Sequence, residues 1–322
     1  MMKSLLAVVL VGFTLMAGAQ DYPAKSIRFV VPYPPGGASD ITARVLGQKM
    51  GEAWNQQVVV DNRPGANGII ALEYVAKATP DGYTILMANL GPNAINPGVY
   101  SKLPYDAVKS FAPVTLTTIV PQVIVANAYL PANNVRQLIV LAKSKPGELT
   151  YGNGGNGSAN HLAMELFAAM AGVRMTPIAY KGDAPAMIDA VAGQVMLALP
   201  TVLAAMPFLN SGKLKAIAVT PKKRVAALSN VPTVAESGIP GLADYESVSW
   251  GGVMAPAGTP APVVQKLNAE LVRILKLPDV RERMTGLGAD IVGSTPQEFA
   301  AYLQEEIAKW GKVARQAGVK LD

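Results

Sequence analysis

Short apolar β-rich runs alternate with stretches of helical periodicity along most of this chain, and that alternation restricts the fold to α/β. "SIRFVVPY" (26–33), "QVVVDN" (57–62), "YTILMAN" (83–89), "LTYGN" (149–153), "TPIAY" (176–180), "VMLALP" (195–200) and "LKAIAVT" (214–220) read as strands. Between them, "SDITARVLGQKMGEAW" (39–54, with Ser39 as N-cap), "NGIIALEYVAKA" (67–78), "NVRQLIVLAKSK" (134–145) and "APAMIDAVAGQ" (184–194) read as helices. Such spacing implies βαβ units and mostly parallel sheets flanked by helices. Two long apolar segments, 111–127 and 245–260, suit a chain that passes between two lobes and returns. The expected lobes are 20–123 with 246–322, and 124–245, with a hinged cleft between them. In the last quarter, 259–276 places Val263, Val264, Leu267, Leu271, Ile274 and Leu275 on one helical stripe. Thr295, Pro296 and Glu298 then form a capping-box signature that opens a helix over 295–316.

The first nineteen residues stand apart. "MMKSLLAVVLVGFTLMAGA" has a basic start, a short apolar run and an A-x-A site, the layout of an export signal cleaved near Ala19. No later segment reads as transmembrane, so the mature protein is expected in the periplasm and not embedded in a membrane. With no cysteine, its stability comes from its core without disulfides. The net charge of +6 is scattered, "PKKR" (221–224) being the one cluster, and aromatics are only 6%. A nucleic-acid surface needs a basic stripe with aromatics in it, so nucleic acid is not an expected partner. One histidine, no cysteine and no calcium-loop spacing argue against a metal site.

Two loops share one design. In "VVPYPPGGASD" (30–40) and "LTYGNGGNGSAN" (149–160), a strand runs into glycines and a small polar residue opens a helix. Glycine lets the backbone approach a ligand, and a helix N-terminus presents unpaired N–H groups and partial positive charge. Each loop is therefore a candidate carboxylate or phosphate cradle. Asp40 and Asp183 each orient a loop, cap a helix or touch the ligand.

The second loop also permits sharper readings. Gly152, Gly154 and Gly157 match G-x-G-x-x-G, the dinucleotide fingerprint. The acidic residue that should follow about 20 positions later is displaced, arriving as Asp183 after Lys181, and an exported protein has little access to nicotinamide cofactors. No cofactor is expected. Ser158 and His161, three residues apart, offer an exported serine hydrolase as the alternative function. Against it, no G-x-S-x-G elbow exists, and an N-cap Ser158 would aim its oxygen at backbone N–H groups. His161 then packs beneath the loop.

Six stretches together carry a family resemblance: "PYPPGGASDITAR" (32–44), "DNRPGANGIIALEYVAKATPDGYTIL" (61–86), "YGNGGNGSANHLAMELF" (151–167), "YKGDAPAMIDAVAGQV" (180–195), "VPTVAESGIPG" (231–241) and "APAGTP" (255–260). In this order they resemble the Bug family, periplasmic solute-binding proteins of tripartite tricarboxylate transporters. The resemblance implies a two-lobed, type II-like Venus flytrap that closes as a monomer on a small carboxylate and docks on a two-component inner-membrane permease. A carboxylate sensor for a signalling partner would use the same fold. Carried onto this chain, the implied ligand-binding residues are Tyr33, Pro35, Gly36, Gly37, Ser39 and Asp40 from the first loop. Asn153, Gly157, Ser158, Tyr180, Gly182 and Thr201 come from the second lobe, Asn89 from a further cleft loop, and Trp250 from near the hinge. Met196 stands where the family often carries an acid, which implies a plain carboxylate in preference to an amino acid.

Overall fold

The computed structural model describes residues 22–180, 182–286 and 288–321; the expected export signal lies outside them. Among the described residues the strands are β1 (Ile27–Val31), β2 (Val58–Asn62), β3 (Thr84–Asn89), β4 (Phe111–Pro121), β5 (Val123–Asn127), β6 (Thr150–Asn153), β7 (Thr176–Ala179), β8 (Leu197–Ala198), β9 (Leu214–Val219), β10 (Val248–Pro256) and β11 (Asp290–Ile291). The α-helices are α1 (Ala38–Trp54), α2 (Ile69–Ala76), α3 (Asn96–Val99), α4 (Val135–Ser144), α5 (Ala159–Ala171), α6 (Asp183–Ala192), α7 (Val202–Asn210), α8 (Ala261–Leu275), α9 (Pro278–Gly286) and α10 (Pro296–Ala317). One sheet runs β11-β4-β10-β3-β1-β2 and the other β7-β6-β8-β5-β9.

Both sheets are mixed. β1 pairs in parallel with β2 and β3, and β6 with β7 and β8, as the strand–helix alternation predicts. The antiparallel pairs, β10 with β3 and β4, β11 with β4, and β5 with β8 and β9, involve β4, β5 or β10, the strands at the two crossings. A chain that leaves one sheet and later returns must run both ways. β4 continues through Gln122 directly into β5, and β10 re-enters the first sheet after residues 220–247.

The hydrophobic pattern decides which face each strand presents. Ile27, Phe29 and Val31 pack under α1, α8 and α9, while Val30 faces the other way. In β5, Val123 and Val125 lie toward α6 and α7, and Ile124 and Ala126 toward α4 and α5. This is the period-two alternation of a strand covered on both sides. The α8 stripe behaves as its spacing predicts: Leu267, Leu271, Ile274 and Leu275 are buried and Val263 and Val264 half-buried. The capping box at Thr295 and Glu298 is formed.

α10 carries a feature its sequence did not announce. The Glu306 carboxylate is buried and accepts the indole N–H of Trp250 at 3.1 Å and of Trp310 at 2.9 Å. Trp250 also meets Phe299 and Tyr302 edge-on. Glu306 thus ties β10 to α10. Glu306→Ala should lower stability by about 2–4 kcal/mol, because each stranded buried donor costs roughly 1–3 kcal/mol. Glu306→Gln, which keeps an acceptor, should lose less. Urea denaturation of the three proteins checks this order.

Candidate ligand cleft

The first loop is held from within. Asp40 Oδ2 accepts Gly36 N at 2.9 Å and Arg44 Nε at 3.0 Å, and Asp40 Oδ1 accepts Asn62 Nδ2 at 2.9 Å. Burial alone would raise this carboxyl, but the bonds from Arg44, Gly36 and Asn62 outweigh it and hold it below the usual range. Asp40 therefore fixes the loop, and its oxygens are taken. The N-cap of α1 is Gly37, not Ser39, because Gly37 is the extended residue that follows the turn (φ −81°, ψ 169°) and the helix begins at Ala38. Ser39 lies in the first helical turn, where its Oγ accepts Asn89 Nδ2 at 2.9 Å. Pro35, Gly36 and Gly37 are exposed.

The second loop is organised by Asn160 and His161. Asn160 Oδ1 accepts Gly154 N at 3.1 Å and the Ser158 hydroxyl at 2.6 Å; Asn160 Nδ2 donates to Asp183 Oδ1 at 2.6 Å. Ser158 occupies the N-cap position of α5, yet its hydroxyl does not cap the helix. His161 Nδ1 accepts Gly157 N at 3.0 Å, and burial lowers the imidazole's pKa. The serine proton and the histidine lone pair are thus committed to separate partners, which leaves no Ser–His relay here.

Three helices face this region with bare N-termini. α1, α5 and α6 begin at Gly37, Ser158 and Gly182 without a side-chain cap bond. By contrast, Asn134 caps α4 and Thr295 caps α10. Thr201 caps α7 through Ala204 N at 3.4 Å and bridges to Gln122, which places it beside the crossing.

Two buried amides leave one atom each unpartnered among the described residues: Asn89 Oδ1 and Asn153 Nδ2. The Asn89 amide is oriented by donation to Ser39 Oγ and, at 3.4 Å, to the Trp250 carbonyl. Asn153 is oriented by accepting Gly155 N at 2.9 Å. They end β3 and β6, one in each sheet, and strand C-terminal ends are where open α/β sheets bind ligands. A buried polar atom without a partner is rare enough to point at a ligand.

The two sides meet. Burial pushes the Tyr33 phenol up, with the charge of Asp183 across the cleft adding to it. Burial likewise pushes the Asp183 carboxyl up to about 6, against the bond from Asn160. Tyr180 is turned away: its hydroxyl donates to Asp189 Oδ2 at 2.8 Å, and burial, then that bond, push its phenol up to about 12. Trp250 reaches the cluster through its carbonyl only, its indole being bound to Glu306. Met196 packs against the main core, so its side chain gives no reason to exclude an amino group. Asn160 and Asn67 are polar residues the sequence reading missed. The "SAN" that follows the glycines was the available signal for Asn160; nothing local marked Asn67.

Two α/β lobes with glycine loops and bare helix termini opposed across a cleft define a two-lobed solute-binding protein. Comparison with known proteins agrees. Residues 42–319 match the tripartite tricarboxylate transporter family receptor, and the chain belongs to that family. It is 35% identical over 326 residues to Protein BugT of Bordetella pertussis (strain Tohama I), covering 99% of each chain. Among solved structures, it resembles R. palustris Rpa4515 with adipate (39% identity, TM-score 0.87, covering 93% of this chain and 99% of that one). It also resembles MatC from Rhodopseudomonas palustris with bound malate (33% identity, TM-score 0.82, 91% and 99%). Among the described residues, no helix is long and apolar enough to cross a membrane.

Asp183 gives a pH prediction. Its carboxyl sits above the ordinary 3.8, so this group's share of stability is full below that value and is lost as pH rises through about 6. Asp183→Asn should match the wild type in Tm near about pH 4 and exceed it by a few degrees near about pH 7.5. Thermal melts across that range check the sign.

Proposed function

We propose that this chain binds a small carboxylate between its lobes in the periplasm and delivers it to a two-component inner-membrane permease. The observation that carries the reading is the opposed pair of glycine loops, whose helices α1 and α5 start without side-chain caps, as does α6 after Gly182. Uncapped helix termini supply N–H donors and positive potential to an anion without a fixed cation. The adipate and malate bound by the similar proteins support the same ligand class.

In this reading Gly37 and Gly182 contribute backbone N–H groups, Ser39 its hydroxyl and Asn153 its spare amide N–H, while the spare oxygen of Asn89 accepts from a ligand hydroxyl or a bridging water. Gly36, Gly157 and Ser158, whose donors are held by Asp40, His161 and Asn160, shape the loops. Tyr33 closes one wall, and Pro35 lines the first loop. Asp40 and Thr201 position loops. Tyr180 and Trp250 support from behind. The lobe boundaries near 123 and 246 accord with the membership of the two sheets. A monomer suffices, since both loops belong to one chain.

Closure on a ligand makes contacts that the open state lacks, so the ligand shifts the hinge equilibrium. A thermal-shift and calorimetric panel of adipate, malate, succinate, citrate, aspartate and benzoate tests this. At about 100 times Kd, a binder adds about 2.7 kcal/mol of stability, a shift of several degrees. Asn153→Leu should weaken binding about tenfold or more, by removing a buried donor. If no carboxylate binds and a fluorophosphonate labels Ser158, the hydrolase reading replaces this one.

A further inference from the structure

The segment after α10 makes an unexpected contact. Leu321 N donates to the Val99 carbonyl at 2.6 Å, and Leu321 forms a parallel bridge with Tyr100. This ties residues 319–321 to the end of α3, beside the six-stranded sheet. The Leu321 side chain then reaches the opposite lobe. A Cβ placed at Gly157 would stand 2.5 Å from Leu321 Cδ1 and 3.4 Å from Val99 Cγ2. Gly157 has φ +74°, a backbone conformation that favours glycine, and an added Cβ would press on the Leu321 methyl.

A polar contact grips the same residue. Asn67 Nδ2 donates to the Gly157 carbonyl at 3.4 Å and to Asn96 Oδ1 at 2.7 Å. Asn96 Nδ2 returns a bond to the Asn67 carbonyl at 3.1 Å. Ala66 and Asn67 are held at φ 45° and 50°. Left-handed backbone in non-glycine residues persists where the surroundings enforce it and marks clamps and switches. Three lobe-one residues thus converge on one glycine of the second lobe's ligand loop.

We propose that Leu321, with Val99 and Asn67, forms a closure latch on Gly157 that holds the second lobe's glycine loop over the cleft. The latch rests on the binding reading above, with Leu321 as a positioning residue that touches no ligand. It acts through population: for a ligand that needs the closed form, the apparent Kd rises by the reciprocal of the fraction of molecules that stay closed.

The chain has no cysteine, so Lys143→Cys on α4 and Lys266→Cys on α8 give two spin labels, one on each lobe. Distance distributions are measured with and without adipate and malate. Leu321→Ala and Asn67→Ala should each lengthen the interlobe distance and weaken binding of whichever probe the wild type takes by about tenfold. The Tm without ligand should stay nearly constant in Leu321→Ala and fall in Asn67→Ala, which also strands the buried Asn96 Oδ1, and Leu321→Met should restore the distance and the affinity. Unchanged distances in the two alanine variants would overturn the latch, as would a fall in Tm with the distances unmoved. If the wild type binds neither probe, the carboxylate reading is decided by the wider panel above, while the distances still decide the latch.

Discussion

The antiparallel ladder between β4 and β10 is the constraint on which the rest of this molecule depends. Its register runs from Val248 opposite Pro121 to Pro256 opposite Phe111. At its end the two crossings are bonded to each other. The Gln122 carbonyl accepts Thr220 N at 3.0 Å and Thr220 Oγ1 at 3.1 Å; Ser247 N donates to the Thr220 carbonyl at 3.1 Å, and Ser247 Oγ to Gln122 Oε1 at 3.2 Å. All three residues are buried. Breaking these bonds inside the protein would strand polar groups, whereas bending about them would not. These bonds therefore hold the two crossings together where the chain passes between the sheets.

Among the described residues, the basic groups near the first loop, Arg44 and Arg63, are engaged by Asp40 and Asp61. The other described groups around the two loops are mainly amides, hydroxyls and helix termini. Such a surface can accept carboxylates of differing length, since backbone donors and water adapt more readily than a rigid guanidinium fork. Burial pushes the carboxyl of Asp183, which the Asn160 amide bonds, up to about 6.

Much of this was legible in the chain. Strand positions came from apolar runs, α8 from its stripe, α10 from its cap, and the crossing segment 111–127 coincides with β4 and β5. The glycine loops were legible because their chemistry is local: glycine before a helix start needs only neighbouring residues. The N-cap of α1 was misplaced by two residues, since serine is a good cap and the extended conformation of Gly37 is not written in its letter. Ser158 shows the converse, a serine at the cap position whose hydroxyl another residue claims.

The sequence by itself determined the class of fold, the two cradles and the family resemblance, because periodicity, caps and glycine turns act over a few residues. Tertiary structure alone decided the pairing of Glu306 with two indoles, the approach of Tyr33 to Asp183, and the grip of Leu321 and Asn67 on Gly157. Apart from the bond between Glu306 and Trp310, four residues apart, these contacts join residues 56 to 164 positions apart, where no local pattern fixes distance. Their energy comes from burial and desolvation, which exist only once the lobes have folded against each other.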